Sequence, residues 1–201
     1  MSHLSILNEN QLTKKGLMTR QKLLDIAEEI FGEKGYFETS VVDITQKAGV
    51  AQGTFYKYFK SKKEIYEELV LQLSRDLRRH IKLEISQEHS FEAAQRRGYL
   101  AFFDWVKNHR NLYSIVQQAV LVDPELYKRY YEKLAQGYIN SLNDAMKNEQ
   151  CKRLNAETIS FCLMGIGQFL GMRWILWENK DVPEEVFEDA MEFVFSGLRL
   201  K

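Results

Sequence analysis

Along almost the whole of this 201-residue chain, apolar residues recur at intervals of three and four, and only two prolines interrupt them. That spacing lays side chains along one side of an α-helix, and a chain so poor in proline has few places where a helix must break. No stretch alternates with the period of two that a half-buried strand requires. The expectation is an all-α fold of about nine helices. Leu23, Leu24, Ala27, Ile30 and Phe31 mark the first, over 17–34, closed by Gly35. A second starts behind Thr39-Ser40, with Asp43 completing a capping-box pattern, and ends at Gly49. A short third covers Gln52 to about Phe59, and Ser61-Lys62-Lys63-Glu64 opens a long fourth. Further helices are expected over 91–108, 110–121, from Asp123-Pro124 to about Asn148, over 155–179, and from Asp181-Val182-Pro183-Glu184 onward.

Bulk composition narrows the class of protein. The formal net charge is zero, but residues 1–63 hold ten Lys/Arg against seven Asp/Glu, and residues 64–201 hold eighteen against twenty-one. A positive excess at one end fits a local surface for an anionic partner. Cys151 and Cys162 form no metal-type pair, which suits a reducing cytosol, and Met1-Ser2-His3-Leu4 does not open a signal peptide, so a cytoplasmic location is expected. The longest apolar stretch, Ile159–Trp177, is interrupted by Gln168 and Arg173 and reads as a buried helix. His3, His80, His89 and His109 lack metal spacing, and no HExxH, GxSxG or phosphate-loop pattern occurs. Neither an enzyme, a metal site nor a cofactor is expected.

Val41–Phe59 is the informative stretch. Two short helices that cross steeply need a residue free to take positive φ between them, and Gly49 supplies it. Ile44, Ala48, Val50, Phe55 and Phe59 can lock the pair, leaving Gln52, Gly53, Thr54, Tyr56, Lys57 and Tyr58 outward. Such polar, aromatic and basic groups suit base edges and phosphates. A plain helical hairpin inside a bundle is the competing reading of the turn taken alone.

The surrounding residues decide between them. Thr39-Ser40-Val41-Val42-Asp43-Ile44, Ala48-Gly49-Val50, Gly53-Thr54-Phe55-Tyr56-Lys57-Tyr58-Phe59 and Ser61-Lys62 resemble the DNA-binding signature of the TetR family. Ala27-Glu28-Glu29-Ile30-Phe31 and Gly35-Tyr36 are similar to its first helix, so the resemblance spans about 18–70. Thr45 departs from it, standing where a small alanine is usual. The resemblance implies a transcriptional regulator, usually a repressor released by a small-molecule effector, binding near-palindromic operator DNA as a homodimer. Thr39 and Ser40 would meet phosphate, Gln52 and Thr54 base edges, and Gly53 would allow close approach. Tyr56 and Tyr58 would contact phosphate or a thymine methyl, Lys57 a guanine edge or phosphate, and Lys62 a backbone phosphate. Arg20 and Lys14-Lys15 are either further contacts or solvated charges.

The implied organisation is a mobile arm over 1–16, a DNA-binding domain over 17–62 and an effector-binding and dimerisation domain over 63–201. Dimerisation through the last two helices would use Ile166, Leu170, Trp174 and Trp177 with Phe187, Met191 and Val194; a purely central core helix is the alternative. The family places its effector pocket among helices four to eight, which here carry Tyr99, Phe102, Phe103, Trp105, Tyr113, Tyr127, Tyr130, Tyr131 and Tyr138, with Gln168 and Arg173 available to orient a polar group. An apolar or aromatic effector would fit that lining, and core packing is the alternative role. Two rival functions stand beside this one. Lys152 and Arg153 would favour the thiolate of Cys151 in a redox-responsive regulator, and a helical interaction protein would bind no DNA.

Overall fold

The structure is a computed structural model that describes residues 12–199. Among the described residues every regular element is helical: α1 Lys14–Lys34, α2 Val41–Ala48, α3 Gln52–Tyr58, α4 Lys62–Glu84, α5 Phe91–Asn108, α6 Arg110–Val122, α7 Pro124–Lys147, α8 Ala156–Leu170 and α9 Glu184–Leu198. A seven-residue π-helical segment, Gly171–Trp177, follows α8 directly.

The caps follow the local sequence chemistry. The Ser40 hydroxyl accepts the Asp43 N–H at 3.1 Å while Asp43 Oδ2 accepts the Ser40 N–H at 2.8 Å, a reciprocal box. Ser90 and Asn155 cap α5 and α8 in the same sense, and Asp123 Oδ1 accepts the Leu126 N–H at the head of α7. The first helix begins earlier than its apolar pattern predicts. Thr13 caps it by accepting the Gly16 N–H at 3.2 Å, so Lys14 and Lys15 lie in its first turn rather than in an irregular arm. The rest of that expected arm, residues 1–11, lies outside the described residues.

The chain forms two compact units. The first comprises residues up to Leu73 together with Asn111–Tyr127. Its core joins Leu24, Ala27 and Phe31 of α1, Ile44, Phe55, Phe59, and Ile65, Tyr66 and Val70 of α4 to Ile115 and Val116 of α6. Tyr66 meets Phe31 edge-on at 5.4 Å and donates its hydroxyl proton to the Ile115 carbonyl at 2.6 Å. Gly32 lets α6 approach α1, since a Cβ there would meet the Asn111 side chain at 2.5 Å. Gln118 accepts the Tyr36 N–H at 2.7 Å, so α6 also holds the turn after α1. A division between residues 62 and 63 therefore differs from the packing, which groups α6 with the first three helices. Sequence periodicity shows which face of α6 is apolar but not which partner it meets.

The second unit comprises Ser74–Arg110 and Lys128 onward. Its core is aromatic: Tyr99, Phe102 and Phe103 of α5 pack with Leu163 and Met164 of α8 and with Phe187, Met191 and Phe195 of α9. Tyr99 donates to the Leu163 carbonyl at 2.8 Å, which satisfies its buried hydroxyl, and burial raises its pKa. Gly167 permits this contact, because a Cβ there would stand 3.1 Å from the Tyr99 ring. The single helix expected over 155–179 is instead an α-helix that widens into the π-helical segment at Gly171, itself packed on the Phe102 ring. A π turn keeps helical periodicity nearly intact, so the apolar pattern does not disclose it.

Candidate nucleic-acid interface and effector cavity

The α2–α3 pair rests on Gly49, whose φ of 66° and ψ of 37° are left-handed. Its N–H donates to Gln46 O, and the Val50 N–H donates to Thr45 O at 3.0 Å, closing the end of α2. No heavy atom lies within 4 Å of where a Gly49 Cβ would stand, so backbone conformation alone demands glycine. Thr45 is buried and returns its hydroxyl to the Val42 carbonyl at 3.1 Å, accommodating a polar residue in the interface between the two helices.

With Phe55 and Phe59 buried, α3 presents Gln52, Gly53, Tyr56 and Lys57 as an exposed strip, with Thr54 and Tyr58 half-buried at its margins. Lys57 makes no ion pair among the described residues. Ser40 remains exposed at the head of α2. Bonds from Ser40, with Lys34 nearby, hold the Asp43 carboxyl below the usual carboxylate range.

Two residues expected to grip phosphate are placed otherwise. Thr39 is only 2% exposed, and its hydroxyl donates to the Gly35 carbonyl at 2.7 Å. The Lys62 ammonium donates to the carbonyls of Tyr36 and Thr39 and lies over the Tyr36 ring. Burial pulls its pKa down. Both side chains secure the α1–α2 turn, because carbonyls left open by a glycine-containing turn need donors. Arg20 is likewise engaged internally, paired with Glu68 and lying over the Phe59 ring.

In the second unit, α8 and the π-helical segment form a long apolar run that is only partly buried within the chain. Phe169 is 65% exposed and Trp177 66%, with Phe161 exposed beside them, while Ile166, Leu170 and Trp174 are half-buried. On α9 the expected interface residues Phe187, Met191 and Val194 are buried in their own unit, because the apolar stripe chosen from sequence is the one facing the core. The outward stripe of α9 is Val186, Ala190, Phe193 and Gly197, with Phe193 76% exposed. Interruption by small residues hides this second stripe from periodicity.

Two neighbouring cavities lie in the same unit. One of about 430 Å³ is walled by α4, α5 and α7 and includes Arg78, Ile81, Gln95, Lys133, Leu134 and Tyr138. Another of about 20 Å³ includes Phe102, Tyr130, Tyr131 and Gln168 and shares Ile81, Leu134 and Tyr138 with the first. Gln168 accepts the Tyr131 hydroxyl at 3.2 Å. The other expected pocket residues lie elsewhere. Tyr99 and Phe103 pack in the core, and Trp105 stacks on His109 at 4.6 Å. Tyr113 and Tyr127 belong to the first unit. Arg173 is exposed, pairs with Glu178 at 2.5 Å and lies over Trp174, because the π-helical segment turns it outward. Sequence reasoning missed Arg78, Gln95 and Lys133; the signal available was glycine inside two helices at Gly98 and Gly137, both on the cavity wall.

The thiol on which the redox-responsive alternative depends is not activated. Cys151 is buried, burial pushes its pKa up, and the Lys152 ammonium is spent on the Gly197 carbonyl at 3.0 Å.

Residues 23–69 match the family described as bacterial regulatory proteins, tetR family. The HTH-type transcriptional regulator YdgC of Bacillus subtilis (strain 168) is 26% identical over 196 residues, covering 93% of this chain and 96% of that protein. A TetR-family transcriptional regulator from Syntrophomonas wolfei shares the fold with a TM-score of 0.77 at 22% identity, over 90% of this chain and 94% of that one. The regulator FadR from Bacillus subtilis, solved in complex with stearoyl-CoA, does so with a TM-score of 0.76 at 21% identity, over 88% of this chain and 98% of that one. With its left-handed turn at Gly49 and outward-facing α3, the chain carries the helix-turn-helix of a DNA-binding transcriptional regulator and is similar to the TetR family over residues 23–69.

Proposed function

We propose that the protein is a cytoplasmic, homodimeric repressor that leaves a near-palindromic operator when a small molecule occupies the body of the protein. The observation that carries this is the exposed strip Gln52-Gly53-Tyr56-Lys57 on a helix whose other face is anchored by Phe55 and Phe59. Gln52 and Thr54 are suited to base edges, Tyr56, Tyr58 and Ser40 to phosphates or a thymine methyl, and Lys57 to a guanine edge or phosphate. Gly53 fits a close approach to DNA, since packing inside the protein places nothing within 4 Å of a Cβ there. The functional division follows: α1–α3 read DNA, and the second unit holds the effector and the dimer face.

One reading head contacts too few base pairs for a specific site, so two heads must be spaced by about one helical turn of DNA, roughly 34–36 Å. The exposed Phe161, Phe169, Trp177 and Phe193 support pairing through α8 and α9 with a second copy of the chain. The cavity walled by α4, α5 and α7 supports a small-molecule effector, as does the fold shared with a protein whose structure contains stearoyl-CoA. An effector lowers operator affinity by its preference for the conformation that cannot span both half-sites, commonly about 1–3 kcal/mol.

The test is titration of the full-length protein against the DNA flanking its own coding region at two salt concentrations. Competitor-resistant binding to a near-palindrome is expected, at two chains per site. Failure there and in a random-sequence selection would overturn the DNA-binding assignment.

A further inference from the structure

The chemistry of the larger cavity says more about its occupant than its volume does. Three of its lining residues are cations, Arg78, Lys82 and Lys133, and no carboxylate lines it. Arg78 spends its Nε on the Ser74 carbonyl at 2.9 Å, leaving its terminal nitrogens without a partner among the described residues. Lys82 and Lys133 are exposed and make no ion pair among the described residues. On α5, by contrast, Arg97 pairs with Glu84 and Arg96 with Glu188. Three unmatched cations around one opening create a positive local potential, focused by the low-dielectric wall behind them.

Behind that rim the lining changes character. Gln95 is 7% exposed, yet its amide has no hydrogen-bond partner among the described residues. Gln95 lines the cavity, so its amide is available to a polar group of an occupant. The Tyr138 hydroxyl also lacks a partner among the described residues, and burial pushes its pKa up to about 12, so it stays a neutral donor. Beyond them Ile81 and Leu134 continue into the aromatic second cavity.

The space itself comes from missing side chains. Gly98 in α5 and Gly137 in α7 both wall the cavity. A Cβ at Gly98 would make only ordinary contacts of 3.7 and 3.9 Å, and one at Gly137 would meet nothing within 4 Å. Helix-interior glycine is unfavourable relative to alanine, and close packing requires glycine at neither position. Both serve the volume of the cavity.

Resting on the effector reading above, we infer that this cavity takes an anionic amphiphile, a carboxylate- or phosphate-bearing molecule with an unbranched apolar body. Its head meets Arg78, Lys82 and Lys133, its first polar group meets Gln95 and Tyr138, and its body runs past Ile81 and Leu134. A free carboxylate and a phosphate-bearing acyl thioester share this chemistry.

The experiment is calorimetric titration of the full-length protein, without DNA, with dodecanoate, dodecanoyl-CoA and dodecan-1-ol. At least one anion should bind tenfold or more tightly than the alcohol, and the stronger of the two names the source of the head group. The Lys82→Gln/Lys133→Gln double variant should lose tenfold or more for the anion and less than twofold for the alcohol. Gly137→Phe should abolish binding of all three while retaining the wild-type melting temperature; if it melts early, Gly98→Leu replaces it as the plug. Equal affinity for anion and alcohol, indifference to the double variant, or no binding of any probe would overturn the inference. Operator binding measured separately on the same preparations keeps that failure distinct from failure of the DNA-binding assignment.

Discussion

The ammonium of Lys62 lies 4.3 Å from the centre of the Tyr36 ring and donates to the Tyr36 carbonyl at 2.8 Å. A second bond, to the Thr39 carbonyl at 2.7 Å, makes this lysine the clasp of the α1–α2 turn. Hydrogen bonds from a charged donor contribute about 1.5–3 kcal/mol, less where solvent reaches them, so Lys62→Gln should lower the melting temperature. Its DNA affinity should fall through loss of the turn, with the salt dependence unchanged. Lys57→Gln should do the reverse, leaving stability within about 0.5 kcal/mol and reducing the salt slope by about 1. Operator titrations across a salt series on both variants check this; equal slopes would refute the division of roles.

Gly53 separates folding from binding more sharply. Its missing side chain leaves open space in the free protein. Gly53→Ala should therefore stabilise the fold by about 0.5–1 kcal/mol, since alanine loses less backbone entropy on entering a helix. The same methyl group, interposed between α3 and DNA, should weaken operator binding tenfold or more. Thermal melting and operator titration of one variant read both effects; unimpaired binding would move the DNA contact away from this position.

The exposed aromatic faces of α8 and α9 make contrasting predictions for neighbouring residues. Phe193→Asp places a charge on the outward stripe and should convert the dimer to a monomer that keeps its helical content. Met191→Asp, two residues earlier, places the charge in the core and should unfold the second unit. Sedimentation and circular dichroism distinguish these. A Phe193→Asp protein that remained dimeric would shift the interface elsewhere.

What was legible in the sequence follows the range of the interactions. The Ser40–Asp43 box, the Gly49 turn and the Asp123-Pro124 helix start are contacts within four residues, and each could be read from spacing. The roles of Thr39 and Lys62 could not, because a hydroxyl and an ammonium suited to phosphate are equally suited to turn carbonyls. Only the fold decides which acceptor is nearer. Met191 and Phe193 show the same limit for apolar residues: both belong to apolar stripes of α9, and periodicity does not say which stripe faces the unit's own core. The cavity was the least legible feature. Its occupant-facing groups come from three helices far apart in sequence, and its volume comes from side chains that Gly98 and Gly137 lack.

Acid should loosen the first unit through Asp123. Its carboxylate accepts from Lys63 at 2.8 Å and from the Leu126 N–H at 3.0 Å, and these bonds hold its pKa below the ordinary carboxylate value. The native state therefore binds fewer protons than the unfolded chain at mildly acid pH. The stabilisation is fully present above the unfolded carboxylate pKa, about 4, and is lost as pH falls through the lower folded value. At neutral pH, Asp123→Asn should lower the melting temperature, because asparagine keeps the cap but not the ion pair with Lys63. As the pH falls below the unfolded carboxylate pKa, the gap between the two proteins should narrow. Melting curves from pH 7 down to 2.5 test this, and a gap between variant and parent that stays constant across the range would assign the stabilisation to something other than the Asp123 charge.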